Sequence, residues 1–462
     1  MKDIYLVSYS VKGIKSLDQR ISLSFYKKII SNHPDTQQYN VKGIYGMNGS
    51  GKSGIVTSVD IFRNLLINPG YLNNPVVQKK LDAMVNKKLG ELSMEAEFIA
   101  EAGVGLVFFK YRVALAKTDS GKYAITYEDL SVKRATSKKD SMEPIFLVIN
   151  GEIVSVQGDQ QDEFFNSVLK KTINLLPTAT MSALFYEKSL VELIKNHKEQ
   201  FNTFFASLVL LLVLGKKLHV YLDESDDHRD YLIQSSLGYV EQLEDNRSDL
   251  DDWLKHFLEM DSDPLNIIYV SQNFVAKAEY ERFEKTVAKL YEFLKIFKSN
   301  LLDIEIDKKE DYNVYVCSLI MIYDSYKIHA EFESTGIKKL IRLFAYLREM
   351  AQGGIVFIDE FDSNLHDVYL CALLEYLMEY GQGQLCFTTH NVGPMDILKR
   401  HKKSIDFLSE DHKIYPWTTN GNYSPSNLYR NGMIEGSPFN VDSIDFIGVF
   451  SPEGEDDSWA SS

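Results

Sequence analysis

The sequence predicts an α/β protein with strand–helix units near both ends of the chain, an antiparallel β subdomain after the first unit and a mainly helical segment in the middle. An apolar stretch at residues 41–45 precedes a glycine-rich loop, after which apolar residues recur at helical spacing. Residues 90–157 alternate between apolar and polar side chains and are interrupted by turn residues, which is typical of antiparallel strands. Two further apolar stretches, one at 355–358 and one that begins at Leu385, each end in polar residues, as buried strands of an α/β fold do.

The glycine-rich loop at residues 46–53 reads Gly-Met-Asn-Gly-Ser-Gly-Lys-Ser and fits the pattern G-x-x-x-x-G-K-S. In this pattern, glycines let successive backbone N–H groups turn toward phosphate oxygens, the lysine reaches the outer phosphates and the serine hydroxyl binds Mg2+. We therefore expect ATP and Mg2+ as ligands. The residues expected to hold the nucleotide are Asn48, Gly49, Ser50, Gly51, Lys52, Ser53 and Gly54, with Ser53 also on the metal.

Composition excludes several classes of protein. Of 462 residues, 45% are hydrophobic, so a large core is possible. The three cysteines have no paired spacing, which argues against a disulfide framework or a zinc site and favours a reducing cytoplasm. The longest apolar run, 204–214, is about half as long as a membrane span and predicts a buried helix. No signal peptide is recognisable at the start, so we expect a cytoplasmic protein without membrane contact.

Three regions follow from these patterns. We predict an N-terminal lobe with the glycine loop and the β subdomain at 1–160, a helical insertion at 161–300 and a C-terminal lobe at 301–462. Within the insertion, residues 223–263 contain fourteen acidic and three basic side chains. This stretch is either a solvated helical surface or a docking surface for a basic partner. No heptad pattern persists, so a long coiled-coil arm is not expected.

Direct binding of nucleic acid is left open by the charge. The net charge of −15 makes the whole surface a poor partner for a polyanion. Two local basic patches exist, at Lys133-Arg134 with residues 138–139 and at residues 399–403. Each is either a solvated loop or helix end, or a nucleic-acid contact.

Paired acids follow the apolar stretch 355–358. A central strand that ends in two carboxylates suits a phosphate-loop site, because the first acid supports the Mg2+ shell and the second polarises the attacking water. We therefore assign the metal role to Asp359 and the role of catalytic base to Glu360.

Two further elements are expected to complete the site. Ser334-Thr335-Gly336 opens a predicted helix, where Ser334 or Thr335 is a good N-cap. The same N-terminus could hold the γ-phosphate of a nucleotide bound to a neighbouring subunit. His390 follows the stretch 385–389, where an imidazole can respond to the γ-phosphate, although a lone histidine is more often structural.

This ordered set of motifs resembles the ABC-type ATPases of the SMC, RecF and OLD group, and more narrowly their compact relatives in bacterial anti-phage defence. The resemblance implies an ABC-type P-loop ATPase head with an antiparallel β subdomain and a helical insertion. It implies that Lys52 binds the β- and γ-phosphates, that Asp359 supports the metal and that Glu360 and His390 are the catalytic base and the switch histidine. The signature motif, acting in trans, would be Ser334 and Gly336 with Lys338, and Asp362 lies at the D-loop position. A homo-oligomer follows, at least a head-to-tail dimer.

The departures from that family matter. The signature reads Glu-Ser-Thr-Gly-Ile-Lys where transporter subunits have Leu-Ser-Gly-Gly-Gln, which argues against a transporter motor. The Q-loop glutamine is unassigned, with Gln157, Gln160 and Gln161 as weak candidates.

The defence ATPases of the PARIS, AbiL and Septu type are similar in size and layout. They imply an oligomeric sensor that controls a separate nuclease or toxin chain and responds to a phage protein. The residues after His390 leave no room for the Toprim nuclease of OLD proteins, so we expect the effector on another chain. The alternative is a RecF-like or SMC-like ATPase that binds DNA in repair or chromosome maintenance.

Overall fold

The computed structural model describes residues 4–102, 105–137, 140–159, 161–186, 202–222, 267–418 and 423–437. The acidic stretch 223–263, together with Gln160 and residues 138–139, lies outside these ranges, so the interpretations placed on it stay predictions.

Strands and helices alternate along most of the described chain. The strands are β1 (Ile4–Lys12), β2 (Ile21–Ser24), β3 (Val41–Gly46), β4 (Glu91–Ala102), β5 (Gly105–Lys117), β6 (Tyr123–Arg134), β7 (Glu143–Ile149), β8 (Glu152–Val156), β9 (Leu218–Tyr221), β10 (Asn273–Ala276), β11 (Asp303–Asp311), β12 (Val314–Ile322), β13 (Lys327–His329), β14 (Ile355–Ile358), β15 (Gln384–Thr388), β16 (Ile405–Leu408) and β17 (Ile414–Pro416). The α-helices are α1 (Lys52–Ile67), α2 (Pro75–Met84), α3 (Glu163–Ile173), α4 (Thr203–Lys217), α5 (Tyr280–Phe297), α6 (Thr335–Ala351), α7 (Asp367–Tyr380), α8 (Met395–Leu398) and α9 (Pro425–Arg430).

A six-stranded core sheet has the order β17-β16-β3-β15-β14-β9. Its strands from β16 to β9 pair in parallel, and β17 is antiparallel to β16. Ile355 and Phe357 of β14 face a core that includes α1 and α4. Val356 and Ile358 face the opposite core with α6 and α7. Because both faces are covered, the strand reads as a continuous apolar run, and the predicted α/β fold class is confirmed.

Two antiparallel sheets adjoin this core. The larger has seven strands in the order β2-β1-β4-β5-β6-β7-β8 and is the β subdomain that the alternating sequence predicted. The smaller contains β10, β12 and β11, with β13 added beside β12, and α5 and α6 contribute to its core.

One core strand was not predicted. Residues 161–300 were expected to be mainly helical, but Leu218–Tyr221 forms β9 and pairs in parallel with β14. It follows α4 without an intervening residue, so no turn signal separates the two elements. The buried helix expected at 204–214 is confirmed as α4. The lobe boundaries themselves stay predictions.

A buried glutamine joins the core sheet to the β subdomain. Gln384 opens β15 and is 4% exposed. Its side-chain Oε1 accepts a hydrogen bond from the backbone N–H of Leu6 at 2.7 Å, and its Nε2 donates to the Leu6 carbonyl oxygen at 2.9 Å. The register of β1 shifts just after Leu6, and the glutamine satisfies both backbone groups there.

A second polar tie lies inside the core sheet. Lys42 of β3 and Asp406 of β16 form an ion pair with Nζ and Oδ2 2.7 Å apart, and both side chains are almost fully buried. Removing either partner would leave an unpaired buried charge, so the pair specifies which strand lies beside β3.

Among the described residues, no helix is long and apolar enough to cross a membrane.

Gln384→Ala is expected to lower the free energy of unfolding by about 2 to 4 kcal/mol, because it leaves the Leu6 N–H and carbonyl groups buried without partners. Urea denaturation followed by circular dichroism measures this loss. Gln382→Ala, at an exposed position two residues away, is the matched control and should change little. Equal unfolding midpoints for the two variants would contradict the role assigned to Gln384.

Candidate nucleotide-binding and hydrolysis site

The glycine loop joins β3 to α1 and depends on glycine at three positions. Gly49 and Gly51 have φ angles of 80° and 105°, in a region that other residues avoid. A Cβ atom on Gly51 would lie 2.5 Å from Leu17 Cδ2, and one on Gly46 would lie 2.5 Å from the carbonyl oxygen of Leu408. A Cβ atom on Gly49 would meet no heavy atom within 4 Å. Gly49 therefore lies on the open side of the loop, from which a phosphate can approach.

Lys52 is the first residue of α1, and its side chain folds back over the loop. It is 6% exposed, and its Nζ donates to the carbonyl oxygens of Gly46 at 2.8 Å and Met47 at 2.9 Å. Burial lowers the pKa of the Lys52 ammonium to about 8, and nearby carboxylates act in the opposite direction. Those carboxylates belong to Asp359, Glu360 and Asp362. The loop lysine and the predicted acidic residues therefore lie in one electrostatic environment.

Thr388 fixes the paired acids at the end of β14. Its Oγ1 donates to Asp359 Oδ1 at 2.6 Å and accepts a hydrogen bond from the Glu360 backbone N–H at 2.8 Å. The Phe361 N–H donates to the Thr388 carbonyl oxygen at 3.0 Å, and the Asp359 N–H donates to the Tyr221 carbonyl oxygen at 3.0 Å. The two acids are thus held by the strands on both sides of β14. Asp359 is half-buried and Glu360 is exposed.

The polar groups at the loop fit a phosphate accompanied by a divalent cation. A serine hydroxyl at Ser53 and the carboxylate of Asp359 are the oxygen ligands that Mg2+ prefers. Among the described residues, buried polar atoms without a hydrogen-bond partner include Ser50 Oγ and Asp362 Oδ1. Each is free to bond to a ligand or an ordered water, since an unsatisfied buried polar atom is costly. The donor set therefore matches the ligands expected from the sequence.

The segment Ser334-Thr335-Gly336 begins α6 and contacts the turn after the paired acids. Ser334 Oγ accepts from the Ile337 N–H at 3.5 Å, which is the capping role considered for it. Ser334 and Thr335 are both exposed. Thr335 Oγ1 donates to Asn364 Oδ1 at 3.3 Å, and a Cβ atom on Gly336 would lie 2.7 Å from the Asn364 carbonyl oxygen. The role in trans stays a prediction.

His390 follows β15 and remains exposed to solvent. Partial burial lowers the pKa of its imidazole, and the charge of Lys52 lowers it further. The carboxylates of Asp362, Glu360 and Asp359 act in the opposite direction. Since the ordinary pKa of histidine is near 6.5, the ring is mostly neutral at pH 7. His390 therefore shares its surroundings with the loop lysine and the acids, as expected of a group that responds to the γ-phosphate.

Other predicted site residues make different contacts. Lys338 Nζ donates to the Glu331 carbonyl oxygen of its own chain at 3.4 Å. Gln157 follows β8, and its backbone N–H donates to Ile145 in the β subdomain. Gln161 donates through its backbone to Asp159 Oδ1 at 2.8 Å. The structure therefore assigns no Q-loop glutamine, and the role of Lys338 stays a prediction.

The basic patches are partly neutralised within the chain. Arg134 pairs with Asp140 at 2.8 Å, and Arg400 pairs with Glu375 at 2.9 Å. These pairs reduce the positive potential that a polyanion would meet, and nucleic-acid contact stays a prediction.

Two residues of the site were missed in the sequence. Thr388, the hydrogen-bonding partner of both acids, lies in the polar cluster that ends a predicted strand and belongs to no motif. Lys339 lies on the buried side of α6 and is 4% exposed. The sequence signal was its position directly before the apolar residues Leu340 and Ile341 of the helix. Because lysine is almost never buried without a partner, a buried lysine there would predict a specific contact.

Comparisons with known proteins agree with an ATPase domain. Residues 214–396 match a family described as "AAA domain, putative AbiEii toxin, Type IV TA system". The match contains Asp359, Glu360 and His390 and begins after the glycine loop. It covers less than half of the chain. It supports the coarser assignment of an ATPase domain of the AAA class. No curated protein matches the sequence.

Similar solved structures include SMC head domains and a recombination mediator protein. The SMC head domain with a coiled coil and joint from Pyrococcus yayanosii is 13% identical, with 90% of this chain and 97% of that chain covered and a TM-score of 0.38. The SMC head from Thermotoga maritima is 13% identical, with coverages of 90% and 100% and a TM-score of 0.31. The recombination mediator RecF-ATPrS is 15% identical, with coverages of 90% and 99% and a TM-score of 0.34. These TM-scores are low, so the fold is assigned from the strand order alone.

Nucleotide affinity is expected to fall as pH rises above about 8. Lys52 has a lowered pKa of about 8 in the free protein, and phosphates favour its charged form, so binding takes up a proton above that pH. The Lys52 contribution should be nearly constant up to about pH 7, lower the affinity about twofold by pH 8 and then weaken it by up to about tenfold per pH unit. Titration calorimetry with ATP and without Mg2+, in two buffers of different ionisation enthalpy, measures both the affinity and the proton uptake. Constant affinity from pH 7.5 to 9.5 would contradict this.

Proposed function

We propose that this chain binds and hydrolyses ATP at sites completed head to tail by a second copy, and that it is the sensor subunit of a bacterial anti-phage complex with a separate nuclease or toxin chain. The observation that carries the ATPase part is the convergence of Lys52, Asp359 and Glu360 at the carboxyl ends of β3 and β14, the parallel strands on either side of β15. Ligands of open α/β sheets bind at that edge.

Each group has a distinct task in hydrolysis. The loop N–H groups at the start of α1 bind phosphate oxygens, and Lys52 moves from the loop carbonyls to the β- and γ-phosphates. Ser53 and Asp359 would hold Mg2+, which neutralises the charge that develops on the phosphates. Glu360 orients and polarises the attacking water, while Thr388 holds its backbone. His390, neutral in the free protein, donates a hydrogen bond toward the transferring phosphoryl group.

A second copy is proposed because the N-terminus of α6 is exposed. Ser334 and Thr335 present their hydroxyl groups to solvent at the positive end of a 17-residue helix. Such an end attracts an anionic group. In a head-to-tail dimer it would meet the γ-phosphate on the partner copy, as the resemblance to ABC-type ATPases implies. A closed two-fold arrangement forms both sites at once.

The defence role has separate support. The matching family is described by a toxin and a toxin–antitoxin system, and the sequence resembles ATPases that work beside an effector. Together these favour a two-component arrangement in which ATP occupancy of this chain controls the activity of another chain. The trigger we propose is a phage protein.

The variants Lys52→Ala and Glu360→Gln should separate binding from hydrolysis. Lys52→Ala removes the group that contacts the phosphates and should bind no ATP, whereas Glu360→Gln keeps the loop intact and should bind ATP with only a slow residual turnover. With ATP and Mg2+, Glu360→Gln is therefore expected to elute as a dimer or larger assembly in size-exclusion chromatography, and Lys52→Ala is not. Normal hydrolysis by Glu360→Gln would show that the base has been assigned wrongly.

Co-purification tests the defence role. The product of the neighbouring gene should be retained by the tagged wild-type chain and by Glu360→Gln, and cells that carry both genes should resist phage infection. Lys52→Ala should abolish protection, because the sensor then cannot bind ATP. A solitary protein that protects no cell and that binds duplex DNA in a salt-sensitive, ATP-dependent way would instead establish the RecF-like alternative.

A further inference from the structure

A buried lysine connects the predicted signature helix to the catalytic acid of the same chain. Lys339 lies on α6, and its Nζ donates to the backbone carbonyl oxygen of Glu360 at 2.6 Å and to the hydroxyl of Ser363. Its ammonium group also lies 5.7 Å from the centroid of the Tyr221 ring. Because a buried ammonium group is costly unless it is hydrogen-bonded, these contacts restrict where the turn after β14 can lie.

The turn that Lys339 contacts contains two residues in an uncommon backbone conformation. Glu360 has a φ of 48° and Asn364 has a φ of 60°, in the left-handed region that costs non-glycine residues about 1–2 kcal/mol. The Ser363 N–H donates to the Glu360 carbonyl oxygen at 3.1 Å. That carbonyl therefore accepts from the turn and from Lys339 together, and a conformation of this kind persists only where its surroundings impose it.

Glu360 is held from both sides of its backbone. Its N–H donates to Thr388 on the neighbouring strand at 2.8 Å, and its carbonyl oxygen accepts from Lys339 on α6. The side chain is exposed and takes its direction from this fixed backbone. A shift of α6 would therefore change where the carboxylate points.

The start of α6 is packed against the same turn. Thr335 Oγ1 donates to Asn364 Oδ1, and Gly336 approaches the Asn364 carbonyl oxygen so closely that a Cβ atom would lie 2.7 Å from it. These contacts lie one turn of helix before Lys339. The N-terminus of α6 and the turn that carries Glu360 are thus joined at two points and should move together.

We propose that Lys339 is a positioning residue that links the N-terminus of α6 to the backbone of Glu360. The proposal rests on the proposed function, in which that N-terminus contacts the nucleotide of the neighbouring copy. ATP bound at the partner's site then fixes the position of α6. Lys339 couples that position to Glu360 of its own chain. Each composite site thereby affects hydrolysis at the other.

Lys339→Met is the test variant, because it keeps the length of the side chain and removes the donor. We expect kcat for ATP hydrolysis to fall about 10- to 100-fold, the loss that a displaced catalytic group causes, with little change in KM. Lys339→Arg, which keeps a donor at that position, should recover part of kcat. Lys285→Met is the control, since Lys285 is exposed on α5 and pairs with the exposed Glu281 of the same helix, and it should match the wild type.

A second measurement separates positioning from a general loss of structure. If Lys339 acts through Glu360, Lys339→Met should cause no further loss of residual hydrolysis in a Glu360→Gln background. An equal loss in both backgrounds would overturn the proposal, and so would an unchanged kcat in Lys339→Met. Should Lys339→Met fail to fold, Ser363→Ala removes one acceptor and keeps the charge, and it should give a smaller loss of the same kind.

Hydrogen exchange tests the connection between α6 and the turn that carries Glu360 independently of ATP hydrolysis. The amides of Glu360, Phe361 and Ser363 should exchange at least about tenfold faster in Lys339→Met than in the wild type, because the turn opens locally. Amides of α1 should be unchanged. If the wild type hydrolyses no ATP, the proposed function fails while faster exchange still supports the link; unchanged exchange overturns the link whether or not ATP is hydrolysed.

Discussion

Parallel pairing of β15 with β3 on one side and β14 on the other determines where every group of the site lies. The glycine loop follows β3, the two acids follow β14 and His390 follows β15. Because all three strands run in the same direction, their carboxyl ends meet at one edge of the sheet. A different strand order would separate Lys52 from the acids that oppose the lowering of its pKa. The buried Lys42–Asp406 pair and Gln384 stabilise this order from β16 and from the β subdomain.

The electrostatics of the site follow from that placement. Burial disfavours the charge on Lys52, and the carboxylates favour it; the same carboxylates favour a charge on His390, which burial and Lys52 disfavour. Lys52 and His390 are therefore influenced by one set of acids. Adding phosphates strengthens the positive form of both, so binding of a nucleotide changes the balance of hydrogen bonds around the loop even where the backbone does not move.

The sequence was informative where a pattern is local. The loop at 46–53 combines a motif with its position between an apolar strand and residues of helical spacing. The four apolar residues before Asp359 predict a buried strand. Leu218–Tyr221 carried no comparable signal, because its pairing with β14 joins residues more than a hundred positions apart and no turn separates it from α4. Thr388 and Lys339 were missed for a similar reason. Their partners lie on elements that only the tertiary fold brings together, and neither position belongs to a motif.

The backbone strain at Glu360 connects these observations. A carboxylate on a relaxed strand end would adjust freely, whereas Glu360 occupies a left-handed conformation and its backbone is hydrogen-bonded to Thr388 and Lys339 on opposite sides. The strand partner belongs to the element that carries His390, and the helix partner belongs to the element that carries Ser334. The direction of the base is thus set jointly by the element expected to respond to the chain's own nucleotide and the element expected to respond to that of a neighbour. In the head-to-tail assembly that we propose, hydrolysis at such a site would depend on how the copies are arranged, which is the property that a switch requires.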